Sequence, residues 1–122
     1  MSSKGQILVV EDDPLVCEVI SGALEDRFTT SIAETSAAAL QRLGKGGIGM
    51  ILLDCTLPDG VDPELFSLAD RAGVPIVLMS GDPRRMDGLS AQSRPFILKP
   101  FSLTDLVTTL EAATGGAGQA TA

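Results

Sequence analysis

Histidine is missing from this chain altogether. Its absence removes the Ser-His-Asp triad, the imidazole zinc site and the phosphohistidine from the chemistry the protein can carry out unaided. Cysteine is scarce. Cys17 and Cys55 are too few for a zinc cluster or a disulfide framework, and both read as small packing residues. Basic residues are outnumbered, 9 against 16 acids, and the formal net charge of −7 argues against unassisted nucleic-acid binding. No apolar run approaches the length needed to span a bilayer. The opening residues, Met1 to Gln6, lack the apolar segment of an export signal, so a reducing cytoplasm is the expected location.

What is present fits one globular domain. The 122 residues are 44% hydrophobic and 20% charged, enough to bury a real core and too few for two domains. Short apolar runs alternate with segments of helical spacing. Residues 6–10, 28–33, 50–54, 75–80 and 95–99 read as strands, the second more polar and so placed at a sheet edge. Asp13-Pro14 and Asp62-Pro63 are cap-plus-proline helix starts, as is Asp82-Pro83, although the helix after it has a poor apolar stripe. In the first helix Leu15, Val16, Val19, Ile20, Ala23 and Leu24 predict one buried stripe. Residues 36–44 form a short helix ending on Gly44. Residues 102–113 form the last helix, with Ser102 and Asp105 as a capping box and Leu103, Leu106, Val107 and Leu110 facing inward. Residues 114–122 are Gly/Ala-rich and expected to be disordered. Strands alternating with helices predict an α/β fold, a parallel sheet covered on both faces.

Polar residues fall at particular places along this pattern. Val10 is followed by Glu11, Asp12 and Asp13, Leu53 by Asp54, Met79 by Ser80, and Leu98 by Lys99. In a parallel sheet these strand ends share one edge, where open α/β sheets bind ligands. Each group alone has an ordinary explanation. The acids are favourable at a helix start, Asp54 can open the turn before Pro58-Asp59-Gly60, and Ser80-Gly81 is a common turn pair. Lys99, flanked by apolar residues, calls for a charge partner. Their coincidence at successive strand ends is what points to a site.

Carboxylates brought together repel, and a hard divalent cation compensates them. Mg²⁺ accepts one or two carboxylates and leaves positions for phosphate oxygens. Asp12 and Asp54 are candidate ligands, with Glu11 binding directly or through water and the Thr56 backbone carbonyl completing the set. A cation, a lysine and a hydroxyl stabilise a phosphoryl group in transfer, and a carboxylate can be the nucleophile.

The stretches ILVVEDDP, ILLDCTLPDG, IVLMSGDP and FILKPF, spread over residues 6 to about 113, resemble the receiver domains of two-component response regulators. The resemblance implies a flavodoxin-like, doubly wound five-stranded sheet in the order 2-1-3-4-5, within a receiver unit of residues 1–113. It implies that Asp54 accepts a phosphoryl group from a histidine kinase or phosphotransfer protein, with Mg²⁺ held by Glu11, Asp12, Asp54 and Thr56. Ser80 corresponds to the switch hydroxyl, Lys99 to the lysine before a proline, and Phe96 to the aromatic that changes rotamer. Thr56 and Asp82 fall where phosphate lifetime is tuned. The surface of the fourth helix, fifth strand and fifth helix would then address a downstream effector protein, or phosphate would pass on along a relay. Such a protein is a stoichiometric acceptor and not an enzyme, with no direct nucleic-acid contact and no membrane insertion. Three other readings compete. A haloacid-dehalogenase-type phosphatase would want a second acid where Thr56 stands. A receiver-like module that is never phosphorylated would share the fold. A nucleotide-binding Rossmann domain would need glycines where Glu11, Asp12 and Asp13 lie.

Overall fold

Each apolar run of the sequence forms a strand. The computed structural model describes residues 5–57, 60–81 and 94–119. They comprise β1 (Gly5–Val10), α1 (Pro14–Leu24), β2 (Phe28–Ala33), α2 (Ser36–Gly44), β3 (Met50–Asp54), α3 (Pro63–Ala72), β4 (Ile76–Ser80), β5 (Phe96–Leu98) and α4 (Leu103–Gln119). The strands are all parallel and stand in the order β2-β1-β3-β4-β5. The fold is therefore the flavodoxin-like doubly wound sheet, and β2, with Thr29, Thr30 and Ser31 at its centre, is an edge strand. The helix start at Asp82-Pro83 lies outside the described residues.

The alternation of side chains along a strand divides the interior into two cores. Leu8, Val10, Ile51, Leu53, Ile76 and Leu78 point to one face, where they meet Ala39 and Leu43 of α2 and Leu65 and Ala69 of α3. Ile7, Val9, Met50, Leu52, Val77 and Met79 point to the other, against Ile20 and Leu24 of α1 and Leu106 and Leu110 of α4. β3 and β4 are buried along their whole length, so they have no solvated face. Fully burying a side chain such as Leu52 contributes roughly 1.5–3 kcal/mol. Cys17 and Cys55 are buried, unpaired by disulfide, and pack as small apolar residues.

Two helices depart from the expected burial. On α1 the buried residues are Cys17, Ile20 and Leu24, whereas Leu15 and Val19 are 70% and 50% exposed. The α1 stripe is therefore narrower than its apolar sequence, because only one side of the helix meets the sheet. On α4, Leu106 and Leu110 are buried but Leu103 is exposed. This helix also runs past Ala113 to Gln119, so residues 114–119 of the expected disordered tail are helical. No proline interrupts it, and a nucleated helix gains one backbone hydrogen bond for each residue added. Its start is as expected, with the Asp105 amide donating to the Ser102 hydroxyl at 3.0 Å.

Candidate functional site

Strand order reverses between β1 and β3, and the polar strand ends meet outside their carboxyl termini. Glu11 leaves β1 with its amide donating to the Ala33 carbonyl at 3.0 Å, which keeps it in line with the sheet and turns its carboxylate inward. It is 1% exposed, and Asp54, the last residue of β3, is 2% exposed. The three neighbouring acids after β1 have separate tasks. Glu11 points into the site, Asp12 is exposed at its rim, and Asp13 caps α1 by accepting the Leu15 amide at 2.9 Å. Asp62 caps α3 in the same way through the Glu64 amide.

Lys99 closes the cluster from the end of β5. Its Nζ lies 2.8 Å from Glu11 Oε1 and 3.4 Å from Asp54 Oδ2. Its backbone amide donates to the Ser80 carbonyl at 2.8 Å, extending the β4–β5 pairing by one step. Burial pushes the ammonium down, but the two carboxylates outweigh it and hold Lys99 above the ordinary lysine value. Asp54 shows the same balance. Burial pushes its carboxyl up, and the Thr56 amide and hydroxyl with Lys99 bring it below the ordinary value. Those Thr56 groups donate to Asp54 Oδ1 at 3.0 and 2.7 Å. Burial dominates at Glu11 and holds its carboxyl above the ordinary value despite Lys99. Burial also drives the Cys55 thiol to about 11, so the residue beside Asp54 is no nucleophile near neutral pH.

Glu11, Asp12 and Asp54 each offer a carboxylate oxygen, and these oxygens lie within 4.8 Å of one another. Three carboxylates face one ammonium, an excess of acid over base, with Glu11 and Asp54 almost fully buried and Asp12 at the rim. That excess and the all-oxygen donor set suit a hard divalent cation.

The expected site residues divide as follows. Glu11, Asp12, Asp54 and Lys99 are brought together, and Thr56 joins them. Thr56 does so through its amide and hydroxyl, a local contact that an Asp-x-Thr spacing permits and that the sequence reading overlooked. Ser80 is fully buried at the end of β4, one step beyond the Asp54–Met79 register pair. Phe96 starts β5 and is 46% exposed, so its ring lies on the surface. Asp82 lies outside the described residues. Two further contacts had no local sequence signal. Ser36 reaches across from α2 to the loop after β3. Arg94 forms two hydrogen bonds to Asp70, at 3.1 and 2.8 Å, and stacks over Phe66.

A doubly wound parallel sheet with an acid pocket and a lysine at its switch point defines the class. Residues 7–111 match the family described as the response regulator receiver domain, and the chain belongs to that family. It is 32% identical over 112 residues to the swarming motility regulation protein RssB of Serratia marcescens, covering 87% of this chain and 51% of RssB. The chain spans about half the length of the curated relatives it matches. Among solved structures, SdrG of Sphingomonas melonis Fr1 superposes with a TM-score of 0.75 at 33% identity, covering 93% of this chain and 98% of SdrG. A CheY-like receiver domain protein of Methanospirillum hungatei JF-1 superposes with a TM-score of 0.83 at 22% identity, over 96% of this chain and 98% of that one, a likeness of fold. Among the described residues no helix is long and apolar enough to cross a membrane.

Proposed function

We propose that residues 1–113 form a receiver unit in which Asp54 accepts a phosphoryl group from a phosphohistidine on a partner histidine kinase or phosphotransfer protein. The observation that carries this reading is the placement of Lys99 against both Glu11 and Asp54, whose carboxylates are almost fully buried. An Asp54 oxygen attacks phosphorus, the donor's P–N bond breaks, and its electron pair returns to the imidazole nitrogen. Asp54 stays ionised for this, because the Thr56 donors and Lys99 keep its carboxyl low. Lys99 then faces the transferred oxygens as a fixed positive charge.

Glu11, Asp12 and Asp54, with the Thr56 carbonyl, are the residues that would hold Mg²⁺. When bound, the ion would cancel the surplus carboxylate charge and favour the phosphoryl oxygens. Ser80 is assigned as the hydroxyl that senses the phosphate, Phe96 as the ring that responds, and Thr56 and Asp82 as the residues that set phosphate lifetime. The protein is consumed stoichiometrically and does not turn over a substrate. It works in the cytoplasm and passes its state to an effector protein or its phosphate along a relay.

An apolar groove of about 420 Å³ supports a protein donor over a free metabolite. It is lined by Leu15, Val16, Val19, Pro100 and Phe101 and shares Lys99 with the acid pocket. A partner seated there would lie against Lys99, which also reaches Asp54.

The test is intact mass after incubation with Mg²⁺ and acetyl phosphate. Wild type is expected to gain one phosphoryl group, Asp54→Asn none, and chelation of the metal to prevent labelling. A phosphoryl group retained by Asp54→Asn would overturn the assignment.

A further inference from the structure

Ser36 is the first residue of α2, yet it does not cap that helix. Thr35 does, accepting the Ala38 amide at 3.0 Å. The Ser36 side chain is 3% exposed and turns away from its own helix toward the loop between β3 and α3. There its hydroxyl donates to the Gly60 carbonyl at 2.8 Å and accepts the Asp62 amide at 3.2 Å. One side chain from 24 residues upstream thus engages the loop backbone twice.

The loop so held leads back to the nucleophile. The Gly60 amide donates to the Leu57 carbonyl at 2.9 Å, closing a turn in which Gly60 has φ 77°, a left-handed value that favours glycine. Leu57 is buried in the core beneath. Thr56, immediately before it, grips Asp54 Oδ1 with its amide and hydroxyl. At its other end the loop is tied to β4 through the Cys55 amide and the Met79 carbonyl at 2.9 Å.

We propose that Ser36 is a positioning residue for the acid pocket: by clamping Gly60 and Asp62 it fixes where Thr56 presents its amide, hydroxyl and carbonyl to Asp54 and to a bound cation. The clamp is built for this position because alanine, the better helix former, would serve α2 itself at least as well. The consequence for metal binding rests on the receiver reading above. The consequence for the Thr56 backbone does not.

The experiment compares Ser36→Ala and Ser36→Thr with wild type in the full 122-residue chain. Mg²⁺ affinity is read by calorimetry, and backbone amides by NMR with hydrogen exchange. Ser36→Ala is expected to stay folded, to bind Mg²⁺ roughly tenfold more weakly, as loss of a supporting contact around a metal site does, and to shift the Thr56 and Asp62 amides in metal-free protein. Ser36→Thr, which keeps the hydroxyl, is expected to restore both. Wild-type affinity together with unshifted Thr56 and Asp62 amides in Ser36→Ala would overturn the proposal. Should Ser36→Ala fail to fold, wild type decides alone. Protection of the Asp62 amide, and its shift as Mg²⁺ is added, support the clamp, and an Asp62 amide that exchanges freely sinks it. Wild type that binds no Mg²⁺ counts against the receiver chemistry, and the metal-free Thr56 shift still tests Ser36.

Discussion

Lys99 Nζ sits closer to Glu11 Oε1, at 2.8 Å, than to Asp54 Oδ2, at 3.4 Å. The lysine is thus the counter-ion of an acid pocket, with Glu11 its first partner and Asp54 its second. Replacing it by an apolar side chain would leave two almost fully buried carboxylates facing each other.

Lys99→Met is therefore expected to destabilise the metal-free protein by about 3 kcal/mol, the lower end for breaking a buried ion pair. Urea unfolding in chelator measures it. Added Mg²⁺ should recover more stability in the variant than in wild type, since the variant has more uncompensated charge to relieve. A loss below about 0.5 kcal/mol would show the pair to be no stronger than an exposed one.

The groove beside Lys99 offers a way to separate docking from chemistry. Val19 is half exposed on it. Val19→Asp is expected to leave labelling by acetyl phosphate intact while slowing transfer from a phosphorylated kinase by about tenfold, a cost of about 1.4 kcal/mol. Single-turnover transfer assays check it. Equal slowing with both donors would mean that the substitution had damaged the pocket instead.

Arg94 joins the start of β5 to α3 through Asp70 and the Phe66 ring. The Arg94 hydrogen bond holds the Asp70 carboxyl below its ordinary value of 3.8. A carboxylate with a lowered folded value stabilises above its unfolded value, and the contribution disappears as pH falls through the folded one. Wild type is therefore expected to exceed Asp70→Asn in stability at pH 7, with the gap closing below about pH 4. Thermal unfolding of both across that range tests it. A gap that widened with acid would contradict the pairing.

The strands were legible because a strand buried on both faces must be written as a continuous apolar run, as Met50 to Leu53 is. The cluster of polar strand ends was legible for a related reason. When a run is wholly apolar, the first charge after it stands out, and Glu11, Asp54 and Lys99 each follow directly on or end such a run. Burial on the helices was less legible. Leu15 and Val19 fit a helical stripe as well as Ile20 does, and only the side on which α1 meets the sheet decides which of them is buried. The contacts of Ser36 with Gly60 and of Arg94 with Asp70 span 24 residues each, and nothing near either residue announces its partner.

The division of β3 between two cores ties the fold to the carboxyl at its end. Leu53 belongs with α2 and α3, and Leu52 with α1 and α4. Deleting one residue between Met50 and Leu53 would put the strand residues after the deletion on the wrong face. Asp54 would then be carried half a pleat around, away from Lys99. In this protein the parity of a single strand decides whether the acid meets its lysine, so insertions tolerated in surface loops should be lethal there.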